Sequence, residues 1–91
     1  MSDGGFVVVW TPTARRSLNR VSAKVANAVV EFVHGSLAEN PRRVGRPLRL
    51  ELEGLHSARR GDYRVLYRID EERRRVEVVA VEHRSDAYRP R

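Results

Sequence analysis

The chain has no cysteine and only one lysine, Lys24, among its 91 residues. Without thiols it can hold no disulfide, thiolate zinc site or iron–sulfur cluster, and it has no cysteine nucleophile. Long apolar runs are missing as well. Phe6-Val7-Val8-Val9-Trp10 is far too short for a signal-peptide core or a membrane span. The opening Met1-Ser2-Asp3-Gly4-Gly5 carries no basic leader, so a cytoplasmic location is expected. Histidine is scarce: His34, His56 and His83 stand alone, with no pair at metal-ligand spacing. Glu51 and Glu53 lie two apart without a partner motif. Glycine-rich phosphate loops, a Gly-x-Ser-x-Gly elbow and a Walker motif are all lacking. No metal and no cofactor is therefore expected.

What the chain does have is arginine. Seventeen of its eighteen basic residues are Arg, and the net charge is +6. A guanidinium grips phosphate as a two-pronged fork, whereas an ammonium acts as a point charge. The first 41 residues hold four basic and three acidic side chains; the remaining fifty hold fourteen and nine. The positive field sits on the C-terminal half, which points to an anionic partner. At this length one domain, residues 1–91, is the expectation, burying roughly 60–65% of the surface its unfolded form exposes. A charged fraction of 33% beside 41% apolar residues fits a folded chain.

The first run, Phe6 to Trp10, is β-branched and aromatic without alternation. It predicts a strand covered on both faces. Thr11-Pro12 then supplies a helix N-cap and a proline at the first helical position. Ala14, Leu18, Val21, Val25, Val29, Phe32, Val33 and Leu37 recur at helical spacing, and Ser22 offers a second N-cap. Two helices are predicted, about 12–20 and 22–38, with Asn40-Pro41 ending the second. Segment 41–48 reads as a loop from its proline and glycine. From Leu50 the period becomes two. A short strand near 55–60 turns through Gly61-Asp62 into a strand with Tyr63, Val65, Tyr67 and Ile69 on one face and Arg64, Leu66 and Arg68 on the other. After the turn at 70–73, Val76 to Glu82 forms the last strand. The fold class is α+β: two helices on a small antiparallel sheet, in the order β-α-α-β-β-β.

Two constellations could carry chemistry. Arg59, Arg60, Arg64 and Arg68 fall within ten residues on neighbouring strands, with Arg84 and Arg89 after the last strand. Such a cluster can hold a phosphodiester and stabilise the charge that develops as it is attacked. It can equally be a solvated face balanced by Glu51, Glu53, Asp62 and Asp70. The second constellation is Glu82-His83-Arg84-Ser85-Asp86-Ala87-Tyr88, which brings an imidazole, a guanidinium and a phenol together at a strand end. Imidazole and phenol can move protons, and the phenol can stack on a base. As surface or edge-packing residues they need do neither.

These pieces resemble the RelE/ParE superfamily of toxins from bacterial type II toxin–antitoxin systems. The resemblance runs through Ala14 to Val21, Asn40-Pro41, Gly45-Arg46-Pro47-Leu48, Leu52-Glu53-Gly54-Leu55, Arg59-Arg60-Gly61-Asp62-Tyr63-Arg64-Val65-Leu66-Tyr67 and His83-Arg84-Ser85-Asp86-Ala87-Tyr88. It implies a RelE-like fold. In the RelE branch it implies an mRNA interferase that cuts in the ribosomal A site without a metal. There the 2′-hydroxyl attacks the scissile phosphate, leaving a 2′,3′-cyclic phosphate. It also implies a cognate antitoxin that wraps the toxin and masks its basic site, through an acidic or amphipathic segment over the sheet or the helical pair. By resemblance, Arg64 contacts the scissile phosphate, Arg84 belongs to the terminal His-Arg motif and Tyr88 stacks on a nucleotide or assists proton transfer. The motif can also be aligned so that Glu82 takes the catalytic arginine's place.

The sequence departs from the RelE branch at the two lysines before the Tyr-Arg pair, whose places fall near Leu55 and Ser57. Arginine is a poor base. His56 or His83 is then the expected proton acceptor, with Arg59, Arg60, Arg68 and Arg89 as RNA and phosphate contacts. Two other functions stay open: a ParE-like DNA gyrase inhibitor, and a non-enzymatic basic module that binds RNA or the ribosome by counterion release.

Overall fold

The computed structural model describes residues 5–48 and 54–83. Among them the chain runs β1 (Val7–Trp10), α1 (Pro12–Asn19), α2 (Ala23–Phe32, continued by a wider π turn over Val33–Leu37), α3 (Pro41–Val44), β2 (Arg46–Pro47), β3 (His56–Arg60), β4 (Tyr63–Asp70) and β5 (Arg75–His83). The five strands form one sheet in the order β1-β5-β4-β3-β2.

The two main helices begin where their caps stand. The Thr11 hydroxyl accepts from the Ala14 amide at 3.1 Å, and the Ser22 hydroxyl accepts from the Val25 amide at 3.2 Å. Each satisfies one of the orphan N–H groups of a first turn. Ala14, Val29, Val33 and Leu37 form the buried stripe of the helices. They meet Ala58, Val65, Tyr67, Val76, Val78 and Val81 from the sheet, with Leu18, Val25 and Phe32 packed around them. Trp10 ties the strand that precedes the helices to the π turn: its Nε1 donates to His34 Nε2 at 3.1 Å.

Three expectations need correction. The sheet is mixed rather than antiparallel, because β1 pairs parallel with β5. A parallel pair needs a long crossover, and here the helices and three strands supply it. β1 is also not covered on both faces. It is an edge strand, with Val7 64% and Val9 37% exposed while Val8 and Trp10 pack on the core. An unalternating apolar run cannot distinguish these cases. Lastly, 41–48 is not a plain loop. Proline at the first helical position starts α3, and Arg46–Pro47 adds a short edge strand beside β3.

The predicted hairpins are present. Gly61, at φ +62°, opens the two-residue β3–β4 turn with Asp62 and gives it the φ signature of a type II′ connection. The longer β4–β5 hairpin carries a bulge. From Asp70↔Arg75 to Tyr67↔Val78 the partners step evenly, but Leu66 pairs with Ala80, so Val79 is the extra residue. Its carbonyl accepts from the Thr11 hydroxyl at 3.1 Å, while the Thr11 amide donates to the Val78 carbonyl at 3.0 Å. One side chain therefore caps α1 and closes the bulge. Thr11→Val should destabilise the fold by about 1–3 kcal/mol, read as a lower urea midpoint at unchanged slope.

Tyr67 is fully buried in the core, and its hydroxyl donates to the Pro41 carbonyl at 2.6 Å. Burial pushes its phenol up to about 12. In the unfolded chain the same phenol ionises near pH 10. Stability is thus whole below pH 10 and drains as pH rises towards 12, by roughly 2–3 kcal/mol in all. Denaturation midpoints measured across this window should fall for the parent and stay flatter for Tyr67→Phe.

Candidate active site

The helices occupy one face of the sheet. Among the described residues nothing covers the other. Strand alternation decides which side chains reach that open face. Val65, Tyr67, Val76, Val78 and Val81 point to the core, so Arg64, Leu66, Arg68, Ala80, Glu82 and Glu77 point away from it. Arg59 pairs directly with Arg64, and Ser57 with Leu66, so both share this face. Arg46 pairs with Ser57 and joins them. Val7 and Val9 complete it beside Arg75 and Glu77.

The open face is therefore graded. Exposed valines stand at the β1 edge, Glu77 and Glu82 on β5, and Arg64, Arg68, Arg59 and Arg46 across β4, β3 and β2. Near the β3–β4 turn it carries one cross-strand row, Arg59–Arg64–Glu82. Glu82 Oε1 accepts from both Arg64 Nε and Nη2, at 3.3 and 3.1 Å. Arg59 faces Arg64 with like charge across about 5 Å of backbone, an arrangement that costs stability unless an anion lies between them. Beside this row a cleft of about 590 Å³ opens at the β2 edge, lined by Gly45, Arg46, Pro47, Ser57 and Arg59 among others. Two guanidiniums and a hydroxyl at its wall suit a phosphate–sugar chain.

The expected site residues divide. Arg59, Arg64 and Arg68 share the open face. Arg60 pairs with Tyr63 and belongs to the other side, at the tip of the β3–β4 hairpin. His56 pairs with Tyr67 and stacks on its ring, centroids 5.5 Å apart, again on the helix side. Burial and then the nearby Arg42 hold its imidazole below its ordinary range, so it is neutral at pH 7. His83 packs edge-on against Tyr63 at 4.8 Å, beside Ser17, Arg20 and Val21 of the helical layer. The structure does not bring either histidine together with Arg64. Arg84, Tyr88 and Arg89 lie outside the described residues.

Sequence reasoning missed two members of the face. Arg46 was hidden in a segment read as loop. Glu82 was noted in the terminal motif but not as the neighbour of Arg64, because the bulge that aligns them shows in the sequence only as a change of phase at Val79-Ala80. Among the described residues no group of His, Asp and Glu is gathered to hold a metal ion. Nor is any helix there long and apolar enough to cross a membrane.

Comparison with known proteins gives a consistent result. Residues 8–88 match the family model for the ParE toxin of type II toxin–antitoxin systems. The chain is 55% identical to Toxin RelE of Mycobacterium tuberculosis over 96% of its length and 90% of the relative's. It is 52% identical to Toxin RelG of the same organism, over 92% and 97%. Among solved structures it superposes on a chain of the toxin–antitoxin complex RelBE2 from M. tuberculosis with a TM-score of 0.88. That match is at 49% identity and covers 93% of this chain and 98% of the other. The isolated E. coli RelE toxin shares the fold, with a TM-score of 0.70 at 15% identity, over 86% and 83%.

Proposed function

The chain belongs to the RelE/ParE superfamily of type II toxin–antitoxin toxins, with near relatives of RelE type, and on that footing we propose that it is a metal-independent mRNA interferase acting on the ribosome. The observation that carries the reading is the Arg59–Arg64 pair, two guanidiniums placed side by side on an uncovered sheet face. A phosphodiester set between them relieves their mutual repulsion. It also meets donors fixed before the reaction begins, where the second negative charge develops on the phosphoryl oxygens. The ribose 2′-oxygen attacks the adjacent phosphorus, the P–O5′ bond breaks, and a 2′,3′-cyclic phosphate and a 5′-hydroxyl result. The cleft beside Arg46 carries the flanking strand, and the ribosome holds the message so that the 2′-oxygen stands in line.

The test is to map cut ends on ribosome-bound message during brief induction and in a translation extract programmed with one defined message. Cuts within codons that end in a cyclic phosphate support the reading. Intact message with inhibited DNA supercoiling would replace it with gyrase inhibition.

The chain's partner is proposed to be a cognate antitoxin, as in the RelBE2 complex that contains its relative. The graded face suits a segment with acidic residues over β2–β4 and apolar anchors against Val7 and Val9. Arg59→Gln removes the like-charge pair, so it should raise stability by roughly 0.2–1 kcal/mol and weaken RNA binding together. Binding titrated against salt should lose about 0.7 of its logarithmic slope, the share of one phosphate contact on a single strand.

A further inference from the structure

Cleavage by a 2′-oxygen needs a proton acceptor, and the two histidines expected to serve lie on the helix side of the sheet. We propose that Glu82 is the general base of the reaction. This rests on the reading of the chain as an RNA-cutting toxin and assigns the part that reading leaves without an owner.

Glu82 stands directly across from Arg64 on the open face and is the only carboxylate in the Arg59–Arg64 row among the described residues. Glu77 stands across from Arg68, four residues along β4 and so about 13 Å from Arg64. Asp62 lies beyond the strand, in the exposed β3–β4 turn. Arg64 engages Glu82 through a single oxygen, Oε1, and Oε2 has no hydrogen bond among the described residues. A phosphodiester bound on the outer edge of the Arg64 guanidinium and on Arg59 would set its ribose within reach of Oε2.

Charge also closes. Two guanidiniums and one carboxylate sum to +1, and one phosphodiester brings the row to zero. The carboxylate therefore does not expel the substrate, and Arg64 stays fixed between the two anions. The side chains of Arg64 and Glu82 are 37% and 27% exposed, open enough for a message to enter yet partly shielded from water. In the step itself Oε2 takes the proton of the 2′-hydroxyl, O2′ bonds to phosphorus, and P–O5′ breaks. The departing O5′ takes a proton from water, and Glu82 later gives its own to solvent.

The experiment uses the full chain with ribosomes carrying a defined message, and follows parent, Glu82→Gln, Glu82→Asp and Glu82→Ala by single-turnover cleavage. Gln keeps the shape and can still accept from Arg64, so Glu82→Gln should fold, and with one negative charge fewer in the row it should bind a 2′-O-methyl message at least as tightly as the parent. Its cleavage should be about 10²–10⁴-fold slower, the usual contribution of a positioned base. Glu82→Asp should keep part of the rate, and added formate should restore part of it to Glu82→Ala. If Glu82→Gln cuts at the parent's rate or faster, Glu82 is no base but a brake on Arg64, and the proposal falls. If the parent itself leaves the message whole, the interferase reading falls, and this assignment with it.

Discussion

Arg64→Ala is expected to slow message cleavage about 10²–10³-fold while leaving the melting temperature within a few degrees of the parent. The size follows from what the guanidinium does. Attack by O2′ places a second negative charge on the phosphoryl oxygens, and Arg64 is a donor held in place by Glu82 and flanked by Arg59 on the open face. Removing one such preorganised donor typically costs about 2.7–4 kcal/mol of transition-state stabilisation. The fold should survive, because among the described residues the Arg64 side chain bonds only to Glu82, and both side chains keep contact with water. Exposed pairs of this kind contribute little, roughly 0–1 kcal/mol. Arg64→Lys separates charge from geometry. It keeps the positive field but loses the two-pronged grip on Glu82 and phosphate, so it should recover binding better than rate. Cleavage and binding measured side by side on ribosome-bound message check both variants. An Arg64→Ala protein that cuts like the parent would remove Arg64 from the site.

Why part of this site can be read from sequence and part cannot is a matter of register. Alternation along Tyr63, Arg64, Val65, Leu66, Tyr67 and Arg68 fixes which of these residues face the core, since every second one is apolar and large. The Gly61-Asp62 turn then pairs Arg59 with Arg64 by counting outward from a two-residue loop. Both inferences are local. Glu82 is different. Counting back from the β4–β5 hairpin without a bulge places Val81, not Glu82, opposite Arg64. The extra residue at Val79 shifts the partner by one and returns Val81 to the core. The trace of this in the sequence is a change of phase: Val76 and Val78 alternate, Val79 and Ala80 are both apolar, and Val81 resumes the buried series. What stabilises the shift is Thr11, sixty-eight residues away in the chain, whose hydroxyl reaches the Val79 carbonyl. No local pattern could have announced that contact.

The helices and the histidines divide along the same line between local and distant contacts. Thr11-Pro12 and Ser22 act within one turn of chain, so the helix starts could be read directly. The place of β1 could not. Whether an apolar strand is covered on two faces depends on which strand lies beside it, and its parallel partner β5 comes at the far end of the described chain. His56 and His83 had the right chemistry for proton transfer. Yet each occupies a position opposite a tyrosine of the core-facing series, so the pleat points both away from Arg64.

The basic cleft in turn depends on a glycine in its own wall. Gly45→Ala is expected to destabilise the protein by about 2–5 kcal/mol, as a sum of overpacking and a lost buried hydrogen bond. A Cβ at position 45 would lie 2.0 Å from the Tyr67 hydroxyl oxygen and 2.8 Å from the Ser57 carbonyl oxygen. Neither can retreat easily. Tyr67 is fully buried and donates to Pro41, and Ser57 belongs to the β2–β3 ladder. The extra methyl must therefore push α3 and Arg46 away from β3 or break the Tyr67–Pro41 bond. Gly45 also sits between those elements, so the cleft wall that carries Arg46 moves with it. Tyr67→Phe removes the nearest clashing atom, although the ring carbon at 3.0 Å and the Ser57 carbonyl remain. The double variant should accordingly recover part, but not all, of what Gly45→Ala loses. Urea titrations of the four proteins in the cycle give the coupling directly, and a cost of the double variant equal to the sum of the two singles would show that Gly45 is not needed for the approach of Tyr67.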